Sequence, residues 1–249
     1  MAMSAGTQDL SHPAAVLSSC RASITSVSWM SNMVDKPQVV LHSPRLIIRQ
    51  IECRDIDEMQ SWRPFSEPLH RLWNIPRRPS LSREMWFMLH SSDPTRLWFA
   101  VERRADGQLI GSISLREIVV RRSARLGISF GADYVDQGYG SEALRLFLPY
   151  FFDELDFPRL RLDVAAANKR ARHVYEKLGF RYVGRHYRDI PEQENIIFLR
   201  EAQYHPLRQY FRRHLGRWQL LFFDMVLECS EWRRQDLALD TAAGAPRQT

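Results

Sequence analysis

The stretch SFGADYVDQGYGSEALRLF, from Ser129 to Phe147, constrains this chain more than any other feature. It reads as a strand, a short loop bearing Gly138 and Gly140, and a helix in which Ala143, Leu144, Phe147, Leu148, Phe151 and Leu155 follow helical spacing, with Pro149 disturbing the pattern. A helix start carries unpaired backbone N–H groups and the positive end of the peptide dipole, and glycines let the backbone close around an anion. Phosphate or pyrophosphate is the natural ligand of such a junction; a plain tight turn is the other reading. A dinucleotide fingerprint is excluded because Ala143 occupies the third glycine position and an early strand feeding the loop is missing, and no GK[ST] follows to make a Walker loop.

A second segment, DVAAANKRARHVYEKLGFRYVG, runs from Asp163 to Gly184. Asn168 stands where a strand ends, suited either to cap the next helix or to bridge a ligand to that junction. Tyr175 follows seven residues later, two helical turns on, and so returns to nearly the same face. As a lone residue, Tyr175 reads first as a core aromatic on an amphipathic helix. Around these segments strands and helices mix: LIIRQI, RLWFAVER and LIGSISLREIV read as strands, the last two joined by an Asp106-Gly107 turn, and Ser82 caps a helix through Met88. Beyond Ile190 the residues to about Gly216 have an apolar and aromatic face that is helical in part, and WQLLFFDMVLECSEW reads as a buried strand running into a polar end.

Taken together, GYGSEA and YEKLGF resemble the GCN5-related N-acetyltransferase (GNAT) superfamily, in the branch similar to ribosomal-protein alanine N-acetyltransferases. SPRLIIRQI and the late Glu231-Trp232 pair are similar to that branch as well, so the likeness covers about residues 41–233. The resemblance implies an α/β (α+β) fold with a mixed, strongly twisted central sheet, flanking helices, and two middle strands, about 124–130 and 159–165, that splay apart. Acetyl-CoA would be the acyl-donor co-substrate. Its pantetheine would pair with the first middle strand, along Ile128 and Phe130, and its pyrophosphate would rest on Asp136, Gln137, Gly138, Tyr139, Gly140 and Ser141, with the helix beginning near Ser141 and Asn168 across the cleft. Tyr175 would protonate the departing thiolate at a near-normal phenol pKa.

Departures from the family pattern carry expectations of their own. Val135 and Asp136 stand where Gln or Arg and then Gly are common, and Asp136 brings a negative charge towards an anion site. Arg125 replaces a frequent glutamate and cannot serve as a base. Ala171 replaces a common serine, removing a hydroxyl. Glu117, at the end of the preceding strand, is then the nearest candidate base, although a solvated strand end beside Arg116 is an equal reading and a water chain an alternative route. Trp62, Phe65, Trp73, Trp86 and Trp98 supply candidates for an acceptor wall, and Glu67 a carboxylate that would attract a cationic acceptor or be solvated.

Thirty-five Lys and Arg against 29 Asp and Glu leave a net charge of +6, too scattered to announce nucleic acid. Arg208, Arg212, Arg213 and Arg217 read as a solvated helix face or as a contact for an acidic partner or CoA phosphate. Cys20, Cys53 and Cys229 form no CxxC pair, and no residues have metal-ligand spacing; no metal is expected, and the pattern suits a reducing cytoplasm. No apolar run is long enough to span a membrane. Residues 1–38 read as a flexible extension, with Met33 an alternative start. Residues 39–235 read as a single acetyltransferase domain with an insertion at about 189–215, and 236–249 as a flexible C-terminus. The expected activity is acetyl transfer to a primary amine, a protein N-terminus or a small molecule, by a monomer or homodimer; the alternative is a diverged acyl-CoA-binding or interaction protein with little catalysis.

Overall fold

The computed structural model describes residues 39–74, 82–191 and 196–235; the readings for the N-terminal extension and the C-terminal tail lie outside them. The strands are β1 (Val40–His42), β2 (Leu46–Gln50), β3 (Leu97–Arg103), β4 (Gln108–Val119), β5 (Ser123–Phe130), β6 (Arg159–Ala165), β7 (Arg181–Asp189), β8 (Phe211–His214) and β9 (Arg217–Glu228). They form one mixed sheet in the order β1-β2-β3-β4-β5-β6-β9-β7. The helices include α1 (Asp55–Ser61), α2 (Arg83–Ser91), α3 (Tyr139–Pro149) and α4 (Lys169–Lys177), and residues 229–235 after β9 are helical as well.

The expected hairpin between β3 and β4 turns at Gly107, and Ser82 caps α2 by accepting a hydrogen bond from the Met85 N–H. Pro149, which has no N–H to give, ends the regular part of α3, and the chain continues through a wider turn over Tyr150–Glu154. The apolar stripe of α3 packs on the sheet through Ala143, Leu144, Phe147 and Leu148, each buried. Phe147 meets Phe99 of β3 edge to face at 5.2 Å. This packing fixes where the N-terminus of α3 points.

The central event in the sheet is the parallel contact between β5 and β6. Their register holds only at Ala124 with Leu160 and Arg125 with Arg161, after which the strands diverge. From Leu126 to Phe130, β5 therefore pairs with β4 on one side and not with β6 on the other.

The segment from Ile196 is helical in part, as expected, through 3-10 helices at Ile197–Arg200 and Ala202–Tyr210; the unforeseen element is β8, which pairs with the N-terminal part of β9 where β6 no longer does. Arg212 and Arg213 thus lie on a strand, Arg217 opens β9, and Arg208 donates from Nε to the Leu199 carbonyl at 2.7 Å. The segment has a small core of its own, in which Phe198, Leu199, Phe211 and Leu220 meet Leu69 and Ala165. Among the described residues no helix is long and apolar enough to cross a membrane.

Candidate active site

Where β5 leaves β6 there is a cleft of about 470 Å³, lined from one side by Ile128, Ser129 and Phe130 and from the other by Asp163, Val164 and Ala165. The loop from Tyr134 to Gly138 and the first residues of α3 close one end. Asn168, Ala171, Val174 and Tyr175 of the α4 segment form a wall.

Gly138 caps α3 with φ +81, a left-handed conformation that side chains rarely adopt. The helix therefore begins at Tyr139, two residues earlier than the sequence suggested, and its first intrahelical bond of this turn runs from Glu142 N–H to the Gly138 carbonyl. The N–H groups of Tyr139, Gly140 and Ser141 are those that a helix start leaves without a backbone partner. Arg45 anchors the junction: it meets Glu142 at 2.6 Å, donates to the Gln137 carbonyl at 3.1 Å, and lies 4.7 Å from the Tyr139 ring centre. Burial would raise the Glu142 pKa, but Ser43 and Arg45 outweigh it and hold the carboxylate below its ordinary range.

Asp136 does not present a bare charge. Its carboxylate pairs with Arg170 at 2.9 Å across the cleft mouth. Gln137 is turned away, with its Nε2 donating to the Asp133 carbonyl, and it is the one residue of the expected 136–141 cradle whose side chain does not line the cleft.

Asn168 caps α4, its Oδ1 accepting from the Ala171 N–H at 3.1 Å. Tyr175 is 8% exposed, with its ring edge against Phe180 at 5.7 Å. Burial, and then the nearby negative charge of Asp163, push its phenol above the ordinary value, which corrects the expectation of a near-normal phenol.

Glu117 is not brought to the cleft. The β4–β5 ladder slips between Arg116 and Val119, and Glu117 sits there with φ 49, turned outward to Arg125 at 3.1 Å and Arg161 at 3.7 Å. Its side chain is 56% exposed. Asp163 is the carboxylate that does line the cleft. It is nearly buried and held by Arg125 at 2.6 Å and Arg188 at 2.7 Å. Burial alone would raise its pKa, but Arg188 and Arg125 outweigh it and lower it, which makes Asp163 a weak base. No sequence signal announced this trio, because its members come from three strands.

Glu67 is likewise committed: it accepts from the His70 N–H at 2.8 Å and from the Tyr204 hydroxyl at 2.7 Å, so the inserted segment braces the Trp73 region. That bond pushes the Tyr204 phenol up to about 12. Of the five aromatic wall candidates, Phe65 and Trp73 line this cleft, and Trp73, Trp86 and Trp98 line a neighbouring cavity. Trp62 instead donates from Nε1 to the Leu109 carbonyl.

A split sheet that opens beside a helix N-terminus defines a class of domain whose geometry suits an extended, phosphate-bearing ligand laid edge-on to a strand. The model for the acetyltransferase (GNAT) domain matches residues 45–181, more than half of the chain, and this protein belongs to the GNAT acetyltransferase family. It is similar to the spermidine N(1)-acetyltransferase of Escherichia coli (strain K12), 35% identical over 96 residues that cover 38% of this chain and 50% of that protein. It is also similar to YdaF of Bacillus subtilis (strain 168), provisionally named a ribosomal N-acetyltransferase, at 34% over 76 residues, 30% of this chain and 42% of the other. The chain thus spans about half the length of these curated relatives. Among solved structures, a GCN5-related N-acetyltransferase from Brucella melitensis superposes with a TM-score of 0.56 at 21% identity, covering 86% of this chain and 93% of that one. The dodecameric spermidine N-acetyltransferase from Vibrio cholerae gives 0.53 at 23%, covering 78% and 99%. At such identities the structures speak for the fold.

Proposed function

We propose that this protein moves an acetyl group from acetyl-CoA to a primary amine by direct attack within a ternary complex, using one domain over residues 39–235 with 189–215 inserted. The observation that carries the reading is the unpaired edge of β5 leading to the N-terminus of α3. A pantetheine amide finds ladder partners along Ile128 to Phe130, and a pyrophosphate finds the N–H groups of Tyr139, Gly140 and Ser141. Asp136, with Arg170 as counter-ion, stands at that mouth, and the Gln137 and Gly138 backbone shapes it. Asn168 keeps the opposite wall in place through its cap.

The chemistry balances without a metal. The neutral amine attacks the thioester carbonyl, the N–C bond forms and the C–S bond breaks, so that one amine proton leaves nitrogen while one arrives at sulfur. Tyr175 meets the sulfur as proton donor. Glu117 stands outside the cleft and Asp163 is too well paired, so water takes the amine proton, a feasible acceptor for an amine of ordinary pKa. The spermidine acetyltransferase relatives favour a small-molecule amine over a protein N-terminus as acceptor. Free Cys53 and Cys229 suit a reducing, cytoplasmic setting.

Thiol release from acetyl-CoA against an amine panel tests the reading. Turnover with amide formation supports it; acetyl-CoA binding without turnover on any amine supports the alternative of a diverged acyl-CoA-binding protein. Two variants probe the anion site. Gly138→Val forces a branched side chain into φ +81 with its Cβ 3.4 Å from Arg45 Nη2. The acetyl-CoA Kd is expected to rise tenfold or more, about 1.4 kcal/mol; calorimetry on a folded variant with unchanged Kd would reject the site. Arg170→Ala leaves the Asp136 charge uncompensated, and a rise of roughly three- to tenfold in Kd, larger at low salt, is expected from the added repulsion.

A further inference from the structure

Beside the cleft lies a second cavity of about 330 Å³, which shares Trp73 and Ser129 with it and so adjoins the place where β5 and β6 part. Trp86, Trp98 and His90 make one wall, with the Trp86 and His90 rings stacked at 3.9 Å. The charged residues among the described lining are Arg96 and Arg116; no Asp or Glu contributes. Arg96 is paired with Asp93 at 2.9 Å. Among the described residues, two buried donors, Arg116 Nε and Trp73 Nε1, have no hydrogen-bond partner. Both groups can only donate.

On the reading of the protein as an amine acetyltransferase, we infer that the acceptor is an amine that also carries a carboxylate, seated against Arg116 and Trp73 with its apolar body on the Trp86 and Trp98 wall. Native interiors rarely leave buried donors unpaired, and a ligand carboxylate in this cavity brings the acceptor oxygens that such donors lack. A polyamine does the opposite: it brings cations and donors to a lining that already holds two guanidinium groups and offers no carboxylate. Burial lowers the Arg116 pKa against the opposing pull of the Asp163 charge, so this guanidinium is poorly solvated where it stands.

The test compares matched acceptors with the full chain and acetyl-CoA: phenylalanine with phenethylamine, tryptophan with tryptamine, 4-(aminomethyl)benzoate with benzylamine, and spermidine alone. At least one carboxylate-bearing member is expected to exceed both its decarboxylated partner and spermidine in kcat/KM by roughly tenfold or more, because a buried donor left unpaired by the wrong acceptor discriminates against it. In Arg116→Gln and in Trp73→Phe that advantage should shrink at least tenfold through KM, and Arg116→Lys should restore part of it. Preference for spermidine or for the decarboxylated amines, or an equal loss on every acceptor in Arg116→Gln, overturns the inference while leaving acetyl transfer standing. Absence of acetyl-CoA binding by calorimetry overturns the transferase reading, and the acceptor assignment falls with it.

Discussion

Replacing Tyr175 with Phe is expected to lower kcat by roughly 10- to 1000-fold, below the upper part of the roughly 100- to 10000-fold span typical of a general acid because a buried phenol gives mainly a hydrogen bond, with acetyl-CoA affinity and melting temperature nearly unchanged. The ring stays in place because its contacts are apolar: it packs on Phe180 and belongs to the main core. Only the hydroxyl is lost. Burial and the Asp163 charge keep the phenol protonated well past neutrality, so the ratio of wild-type to variant rate should stay flat from pH 6 to pH 10. The phenol is then a weaker acid than the thiol it serves, and its contribution is a hydrogen bond to developing thiolate rather than complete early transfer. The measurement is kcat by thiol release across that range, at saturating amine, with binding followed separately. A variant that keeps the parent rate while chemistry limits turnover makes Tyr175 a packing residue, with solvent supplying the proton.

What could be read from the chain follows how far apart the determinants lie. The glycine loop, the Asn168 cap and the return of Tyr175 to the same face are local, set by spacings of ten residues or fewer, and the structure brings them to one cleft. The divergence of β5 from β6 was implied only by family likeness, since nothing in either strand's own pattern says where their ladder stops. For Glu117 the chain left two readings open, candidate base or solvated strand end, and the geometry that turns it outward, a left-handed φ at a slip in the ladder, is a property of the β4–β5 pair. β8 was illegible for a related reason, as a four-residue strand is stabilised by β9 beside it and by the Leu69 cluster beneath it rather than by its own alternation. The Asp136–Arg170 pair answers a worry the sequence raised, but 34 residues separate the partners. The trio of Arg125, Asp163 and Arg188 is the extreme case.

That trio carries the other large effect. Asp163→Ala removes the carboxylate that compensates two guanidinium groups at the base of the split sheet, with Asp163 itself only 5% exposed. Breaking such a pair costs about 3–5 kcal/mol when both partners are buried; Arg188 is 42% exposed and partly rescued by water, so about 3 kcal/mol is expected. For a domain of this size that corresponds to roughly 6–12 °C in melting temperature. The pH dependence gives the sharper check. The folded-state pKa of Asp163 is depressed, so its stabilisation is fully present above the unfolded carboxylate value of about 3.9 and is lost as pH falls through the lower folded value. The gap in stability between wild type and Asp163→Asn, which keeps the shape and removes the charge, should therefore be constant from pH 8 to pH 5 and narrow below about pH 4. Urea unfolding at a series of pH values measures it. A gap that is small at pH 7, or one that does not narrow in acid, would mean that Arg125 and Arg188 are satisfied by Glu117 and water, and that the closed base of the cleft owes its stability to the apolar contacts of Leu160, Leu162 and Val164 instead.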